Sequence, residues 1–280
     1  MTTNPKRLLD EFGVRPKKSL GQNFMHDPNA LEKIVRAAGL GPQDTVVEVG
    51  PGTGALTRHL AERARRVIAI ELDDRLIPIL IHQVGDLENV TLVHADILET
   101  DLALHIGPEE PYCVVANLPY YITSAILRFF LERAHKPRRM VVMVQEEVAQ
   151  RLVAGPGEMS LLSVSVQYYG QVEIITRLAP GVFWPRPDVV SALVRIEPYR
   201  NAPPVRVADE AAFFRVVRAG FSQKRKQLRN ALGAGLGISK EEAAALLEAA
   251  GIDPQRRAET LTLEEWGALT AQFMQRQEAG

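Results

Sequence analysis

Short apolar runs alternate with amphipathic stretches through the first half of the chain. The β-branched runs Thr45–Val49 and 67–70 lie on either side of a stretch with helical periodicity, and this alternation continues to about residue 153. Alternating strands and helices are typical of a mainly parallel, doubly wound sheet with helices on both faces. The pattern therefore predicts an α/β fold with a Rossmann-like, seven-stranded sheet.

The last two predicted strands, residues 172–175 and 189–196, are separated by a Pro-rich turn over 179–187. This turn is too short for the helical crossover that a parallel pair of strands would need. We therefore predict that these strands are neighbours and form an antiparallel, hairpin-like end to the sheet.

Beyond this sheet the pattern changes to helices. The segment Asn201-Ala202-Pro203-Pro204 reads as a linker, and the residues after it show helical spacing. We expect a first domain over residues 1–199, in which residues 1–28 form an N-terminal arm. A smaller, all-helical domain is expected over residues 200–280.

Two helices of the second domain carry start signals in their sequence. Ser239 with Glu242, and Thr262 with Glu265, have the spacing of a capping box, in which each side chain bonds the other residue's main-chain N–H. Gly251 is placed to end the helix that begins after Ser239.

The composition, 46% apolar and 24% charged, is that of an ordinary globular protein. The first residues contain no apolar leader, and no uncharged apolar run approaches the roughly 20 residues that span a bilayer, so we expect a cytoplasmic protein without a membrane partner. The one cysteine, Cys113, lies in an apolar run and is expected to be a buried strand residue. No internal disulfide is possible.

A formal net charge of −1 hides an uneven distribution of charges. No acidic residue occurs from Ala211 to Lys240, and we predict that six basic side chains in this stretch bind RNA phosphates. The six are Arg215, Arg218, Lys224, Arg225, Lys226 and Arg229. Taken alone, such a cluster is equally compatible with solvated helix faces.

The first predicted strand ends in a glycine-rich loop, Gly50-Pro51-Gly52-Thr53-Gly54. Without side chains, Gly50 and Gly52 let the backbone approach a ligand closely, and Glu71 at the end of the second strand can accept hydrogen bonds from ribose hydroxyls. The same spacing also fits a dinucleotide site, so this loop does not separate NAD from S-adenosylmethionine. Asp96, after the third strand, can accept a hydrogen bond from an adenine amino group or be a surface-turn residue.

Asn117-Leu118-Pro119-Tyr120 follows the fourth strand, at the same predicted sheet edge. The amino group of adenine is a poor nucleophile because its lone pair is delocalised into the ring. The Asn117 side-chain oxygen and the Leu118 carbonyl can each accept one of its N–H groups, while Pro119 fixes the turn and Tyr120 stacks on the base. A neutral asparagine also avoids a carboxylate beside a sulfonium donor.

Four segments together resemble the ribosomal RNA adenine dimethyltransferase family over nearly the whole chain. They are Leu20-Gly21-Gln22-Asn23-Phe24, Val47-Glu48-Val49 with the glycine loop, Ile70-Glu71-Leu72-Asp73 and Asn117-Leu118-Pro119-Tyr120. This resemblance implies a class I methyltransferase fold, S-adenosylmethionine as cofactor, and an arm that contacts cofactor and RNA. The cofactor pocket that it implies is lined by Asn23, Met25, Gly50, Gly52, Glu71, Asp96 and Asn117.

By the same resemblance, Phe183 faces Tyr120 across the target base. The implied substrate is a pair of adjacent adenosines near the 3′ end of 16S rRNA, dimethylated at N6 within the small ribosomal subunit. A further role as a checkpoint in ribosome biogenesis is also expected. No metal is expected, because the histidines are scattered without paired-ligand spacing. Two departures are visible: Met25 stands where the family usually has leucine, and residues 159–164 lack an expected Tyr-Gly-Arg. The first swap conserves volume, whereas the second puts any role of that segment in doubt.

Three other functions stay open at this level. A large-subunit rRNA methyltransferase shares the glycine loop and a related Asn-x-Pro-Tyr, but Leu118 and the segment Phe221 to Asn230 favour the small-subunit branch. An RNA-binding assembly factor with secondary methylation is the second alternative. A dehydrogenase, which would bind nicotinamide at the glycine loop, is the third.

Overall fold

The computed structural model describes residues 4–200 and 202–279. It divides into two compact units, one made of Met1–Ala149 with Gln171–Pro198 and the other of Gln150–Gly170 with Tyr199–Gly280. Residues 1–3 of the expected arm, Asn201 of the expected linker and Gly280 lie outside the described residues. Within the described part of the chain, no helix is long and apolar enough to cross a membrane.

The first unit is built on a mainly parallel sheet. The strands described are β1 (Phe24–Met25), β2 (Thr45–Val49), β3 (Arg66–Glu71), β4 (Val90–His94), β5 (Tyr112–Asn117), β6 (Arg139–Gln145), β7 (Gly170–Leu178), β8 (Phe183–Trp184) and β9 (Ser191–Pro198). Seven of them form one sheet in the order β4-β3-β2-β5-β6-β9-β7, while β1 and β8 form an antiparallel pair. The β2–β3, β3–β4, β2–β5 and β5–β6 pairs are parallel, which confirms the predicted α/β class.

Helices connect these strands. Those of the first half of the chain are α1 (Pro5–Glu11), α2 (Pro28–Ala38), α3 (Ala55–Ala61), α4 (Ile77–Val84), α5 (Thr123–Leu131) and α6 (Glu146–Val153). Strand β2 is buried along its whole length because helices cover the sheet, and its β-branched residues suit a strand with no solvent face. Leu31 and Ile34 of α2 share a core cluster with Val46 and Val115 of the sheet.

The end of the sheet agrees with the sequence in part. Strands β7 and β9 are neighbours, as predicted, and β9 runs antiparallel to β6. The intervening turn contains β8, which the sequence pattern did not reveal. Residues Phe183 and Trp184 of β8 pair with Met25 and Phe24 of β1, so the turn holds the N-terminal arm.

The second unit is helical and begins earlier in the sequence than expected. Its helices include α7 (Leu161–Tyr169), α8 (Glu210–Phe221), α9 (Leu228–Leu236), α10 (Lys240–Ala249) and α11 (Leu263–Ala279). Residues 150–170, which we expected within the first domain, belong to this unit because the rings of Tyr168 and Tyr169 stack on Phe213 and Phe214 of α8. This aromatic packing is a tertiary contact that no local pattern encodes.

The predicted start signals of the second unit are confirmed. Ser239 Oγ accepts the N–H of Glu242 at 3.1 Å, and the Glu242 carboxylate accepts the N–H of Ser239 at 2.7 Å. Thr262 and Glu265 form the same reciprocal pair. Gly251, with φ of 74°, follows the end of α10.

Candidate active site

A cavity opens at the carboxyl ends of the parallel strands. The empty space inside it, open solvent at its mouth included, is about 960 Å³. All seven predicted cofactor-binding residues line it: Asn23, Met25, Gly50, Gly52, Glu71, Asp96 and Asn117. They come from the arm, from the ends of β2, β3 and β5, and from the segment after β4, because parallel strands bring their carboxyl ends to one edge.

The glycine loop has the backbone conformation that its sequence requires. Gly50, Gly52 and Gly54 all have positive φ, between 61° and 81°, a region that glycine adopts without steric cost. A Cβ atom on Gly52 would lie 2.9 Å from the Phe24 ring, so the arm and the loop approach too closely for any side chain there. The loop thereby presents main-chain atoms to the cavity.

Glu71 is a buried acceptor at the end of β3. Its side chain is 6% exposed, and its two oxygens accept the N–H groups of Gly52 at 3.1 Å and Asp73 at 2.9 Å. Burial raises the pKa of Glu71, while these two hydrogen bonds oppose the increase. The carboxyl group is therefore fixed in place with its remaining lone pairs at the cavity wall.

Glu48 was not among the predicted site residues. It lies in β2, lines the cavity and is 1% exposed, and its Oε2 is a buried oxygen without a hydrogen-bond partner among the described residues. Burial raises its pKa to about 8, and the nearby Glu71 carboxylate adds to the increase. A charged residue within an apolar, doubly covered strand was the signal that could have identified it.

Asp96 is both a turn residue and a cavity residue. Its carboxylate accepts the N–H of Leu98 at 2.9 Å, and its carbonyl accepts the hydroxyl of Thr100 at 2.6 Å. The same residue lines the cavity. The turn that these bonds form keeps Asp96 at the cavity, so its two predicted roles are compatible.

Asn117 ends β5 with its side-chain amide already oriented. Its Nδ2 donates to the main-chain carbonyl of Asn23 in the arm at 2.9 Å, which makes Oδ1 the atom that can accept from a ligand. Leu118 is 1% exposed and donates its N–H to the Met143 carbonyl at 3.2 Å, and the Pro119 carbonyl accepts the Thr123 hydroxyl at 3.1 Å. The loop is held by bonds on both sides of the turn.

Tyr120 and Phe183 lie at this edge of the sheet but not on the cavity wall, which is formed here by Pro119 and Tyr121. The Tyr120 hydroxyl is 2.9 Å from the Ser191 hydroxyl, in β9. Burial raises the pKa of Tyr120, and this hydrogen bond partly offsets the rise. Phe183 is 3% exposed. Its position across the target base from Tyr120 stays a prediction.

The six predicted RNA-binding cations lie in the second unit. Arg215 and Arg218 project from α8, Lys224, Arg225 and Lys226 lie in the turn before α9, and Arg229 belongs to α9. Five are exposed and Arg229 is partly buried. Within residues 4–200 and 202–279, none of the six is in an ion pair. The Arg215 guanidinium lies over the Phe273 ring, 5.3 Å from its centroid.

Among the residues that the structure describes, no group of three or more His, Cys, Asp or Glu side chains could hold a metal ion. Cys113 is buried in β5 as a free thiol, as the sequence predicted.

Comparison with known proteins gives a consistent set of relatives. The family model described as ribosomal RNA adenine dimethylase matches residues 13–274. A ribosomal RNA small subunit methyltransferase A from Dehalococcoides mccartyi is 49% identical over 264 residues, or 94% of this chain and 90% of the relative. A protein of the same name from Geobacillus thermodenitrificans is 45% identical over 278 residues, or 96% of this chain and 94% of the relative.

Solved structures agree in fold. The 23S rRNA methyltransferase ErmE is 30% identical, with a TM-score of 0.69 over 89% of this chain and 99% of that one. A dimethyladenosine transferase from Plasmodium falciparum is 24% identical, with a TM-score of 0.76 over 91% of this chain and 98% of that one, and shows the fold alone.

Proposed function

This chain belongs to the ribosomal RNA adenine dimethylase family, and on that premise we propose that it transfers methyl groups from S-adenosylmethionine to N6 of two adjacent adenosines near the 3′ end of 16S rRNA. The observation that carries the proposal is the oriented amide of Asn117. Its nitrogen is bound to the Asn23 carbonyl, so its oxygen is the acceptor presented beside the cofactor cavity. That is the arrangement an exocyclic amine needs.

The residues of the cavity fit S-adenosylmethionine. Glu71 and Asp96 offer acceptors for ribose hydroxyls and an adenine amino group, and the glycine loop allows close approach of the ligand to the backbone. The unpartnered Oε2 of Glu48 adds a buried polar atom that a bound ligand can satisfy. When bound, S-adenosylmethionine supplies an electrophilic methyl group on a sulfonium centre.

At the target end, Asn117 Oδ1 and the Leu118 carbonyl each accept one N–H of the adenine amino group. These two bonds favour the pyramidal geometry in which the nitrogen lone pair is released from the ring and points at the methyl group. The nitrogen then carries a positive charge and loses a proton readily to water, so no strong base is needed. Catalysis in this site is orientation plus hydrogen bonding by neutral groups.

The target base has to leave its stack to reach this loop, at a cost of a few kcal/mol. Tyr120, held at Ser191, offers an aromatic face, and Phe183 is the proposed partner on the other side of the base. Stacking on an aromatic side chain contributes roughly 1–3 kcal/mol per base, which offsets the cost of flipping. The two aromatic rings thus select an extruded base.

The second unit supplies the electrostatic part of RNA binding. We propose that the six cations from Arg215 to Arg229, five of them exposed, contact phosphates, since none has an ion-pair partner among the described residues. With about four phosphates engaged, the log–log plot of affinity against salt should have a slope near −3, at roughly 0.7 per contact. Filter binding of small-subunit rRNA across a salt series measures this slope, and a flat response contradicts the proposal.

A large-subunit substrate is the second candidate, favoured by the 30% identity to the 23S rRNA methyltransferase ErmE. The relatives named for the small subunit are more similar, at 49% and 45% identity. Primer extension on both rRNAs from a strain that lacks the gene distinguishes the two. Loss of marks in the large-subunit rRNA alone would contradict the 16S assignment.

Mass spectrometry of rRNA fragments tests the reaction directly. The protein is incubated with undermethylated small subunits and S-adenosylmethionine, and we expect two adjacent dimethylated adenosines in one 3′-terminal fragment. Calorimetry with S-adenosylhomocysteine and with NAD separates this reaction from a dehydrogenase. A protein with Asn117→Ala that restores growth and subunit maturation fully would favour an assembly factor. A cytoplasmic site of action and a checkpoint role in subunit assembly remain part of the proposal.

A further inference from the structure

Gln22 has no role in the site described so far, yet both ends of its side-chain amide are hydrogen bonded. Its Nε2 donates to Asp73 Oδ2 at 2.6 Å, and its Oε1 accepts the main-chain N–H of Lys17 at 2.7 Å. An amide has one donor end and one acceptor end, so only this orientation satisfies both partners. Gln22 therefore ties the arm to a residue 51 positions away in the sequence.

The Asp73 end of this link is rigid. The carboxyl group is buried, and it also accepts the Arg75 Nε–H at 2.8 Å. Burial by itself raises the pKa of Asp73, but the hydrogen bonds from Arg75 and Gln22 outweigh it and lower the pKa to about 2. The main-chain N–H of Asp73 donates to Glu71. Gln22 therefore donates to a carboxylate that is held in place by Arg75, and Asp73 is itself bonded to Glu71 in the cavity wall.

The other end of the link is next to Asn117. The residue after Gln22 is Asn23, whose carbonyl accepts the Asn117 amide, and its own side chain donates back to Gly21 at 3.2 Å. A Cβ atom on Gly21 would lie 3.5 Å from the Tyr120 nitrogen, so the arm lies directly against the segment 117–120, here called the target loop. The Asn23 carbonyl, which orients the Asn117 amide, lies between Gln22 on one side in the sequence and the β1–β8 pairing on the other.

We propose that Gln22 is a positioning residue for methyl transfer, which holds the arm so that the Asn23 carbonyl fixes the amide of Asn117. The inference rests on the proposed function, because it takes Asn117 to bind the reacting amine. Without Gln22 the arm keeps the β1–β8 pairing and the packing of Leu8 and Leu9, but the segment next to Asn23 loses its hydrogen bond to Asp73. The Asn117 amide then samples other rotamers, and fewer molecules hold Oδ1 toward the amine.

A double-mutant cycle tests whether Gln22 acts through Asn117. The full chain and its Gln22→Ala, Asn117→Ala and doubly substituted variants are assayed on undermethylated small subunits. We expect Gln22→Ala to lower kcat by about 10- to 100-fold with little change in KM for the RNA, and to have no further effect when Asn117 is already alanine. Two effects that multiply would overturn the proposal.

A substitution that keeps the length of the side chain separates positioning from simple loss of packing. Gln22→Met has nearly the size of glutamine but can make neither hydrogen bond, so we expect it to lower kcat about as much as Gln22→Ala. Gln22→Glu places two carboxylates against each other and should lower kcat at least as much. A Gln22→Met variant with the kcat of the unsubstituted protein would contradict the proposal.

Hydrogen exchange gives a readout that needs no cofactor and no activity. In the protein alone, Gln22→Ala should speed exchange in a peptide over residues 18–25 and leave a control peptide over 45–49 unchanged. No change in the first peptide, or an equal rise in both, would overturn the positioning role. If the unsubstituted protein transfers no methyl group, the proposed function fails, whereas independent effects in the cycle refute only the role of Gln22.

Discussion

The glycine-loop end and the target-loop end of the cavity differ in their hydrogen-bond acceptors, which are carboxyl groups at the first and neutral groups at the second. Around the glycine loop the acceptors are carboxyl groups, those of Glu48, Glu71 and Asp96. At the target loop the side-chain acceptor is the neutral amide of Asn117, and the nearby Tyr120 and Ser191 hydroxyls, outside the cavity wall, are neutral too. A carboxylate beside a sulfonium would stabilise the substrate more than the transition state, in which that positive charge is dispersing. In the proposed reaction the neutral target loop avoids this loss, while the acids lie where we propose that the rest of the cofactor binds.

The largest effect is expected from removing the neutral acceptor. Asn117→Ala should lower kcat by about 10²- to 10³-fold, because a preorganised polar contact to the reacting group is lost, with a smaller change in cofactor affinity. Single-turnover methylation measures this. Asn117→Asp keeps an acceptor at this position, but it adds a charge and sets a carboxylate oxygen against the Asn23 carbonyl, so we expect it to be slow as well. A fast Asn117→Asp enzyme would contradict the need for neutrality.

The second largest effect is expected at the glycine-loop end of the cavity, where the acceptors are carboxyl groups. Glu71→Gln should weaken S-adenosylmethionine binding by about 10- to 100-fold, since hydrogen bonds to a charged acceptor are worth roughly 1.5–3 kcal/mol. Calorimetry measures the affinity, and the kcat at saturating cofactor should change far less. If Glu71→Gln instead lowers kcat and leaves affinity unchanged, the division between binding end and reacting end is wrong.

The glycine-loop end of the cavity can be predicted from the sequence better than the target-loop end. The positions of the glycine loop and Glu71 follow directly from strands that end at one edge of the sheet. The capping boxes of the second unit are equally easy to predict, because each depends on two residues only three positions apart. The Tyr120–Ser191 contact joins residues 71 positions apart, and its existence depends on the register of β9 against β6. Strand β8 is only two residues long and is defined by its pairing with β1. Two residues are too few to show the alternation by which a strand is predicted.

The burial of Glu48 could not be predicted from the sequence for the same reason. Its identity is plain in the sequence, but its buried environment depends on β3 and β5, which pair with β2 on either side. The residues of α7 were likewise placed in the wrong unit, because the stacking of Tyr168 on Phe213 is not visible in a local pattern. What sequence reasoning lacked in each case was the neighbour across the fold.

A third prediction uses pH to test the buried acid. The pKa of Glu48 rises from 4.5 to about 8 in the folded protein, so between these values the folded state keeps a proton that the unfolded chain has lost. The free energy of unfolding should therefore fall as pH rises through this window, by at most about 1.4 kcal/mol per pH unit. Thermal unfolding of the protein without cofactor at pH 5 to 8 measures it.

Glu48→Gln is the control for that experiment, since glutamine has the same shape and does not titrate. Its stability should decline less between pH 5 and 8 than that of the unsubstituted protein. Equal slopes for the two proteins would mean that Glu48 is ionised in the fold throughout this range. The acidic end would then hold two buried negative charges instead of one.

The smallest effect is expected at the neutral end, from Ser191→Ala. This change removes the hydrogen bond to the Tyr120 hydroxyl, worth about 0.5–1.5 kcal/mol, so the ring is held less firmly for stacking. We expect kcat/KM for RNA to fall about 2- to 10-fold while the affinity for S-adenosylhomocysteine stays constant. Tyr120→Phe breaks the same bond from the other side and should give an effect of similar size, and the two together no more than either alone. If Ser191→Ala weakens cofactor binding as much as RNA methylation, the bond supports the whole cavity and the two ends are not separable.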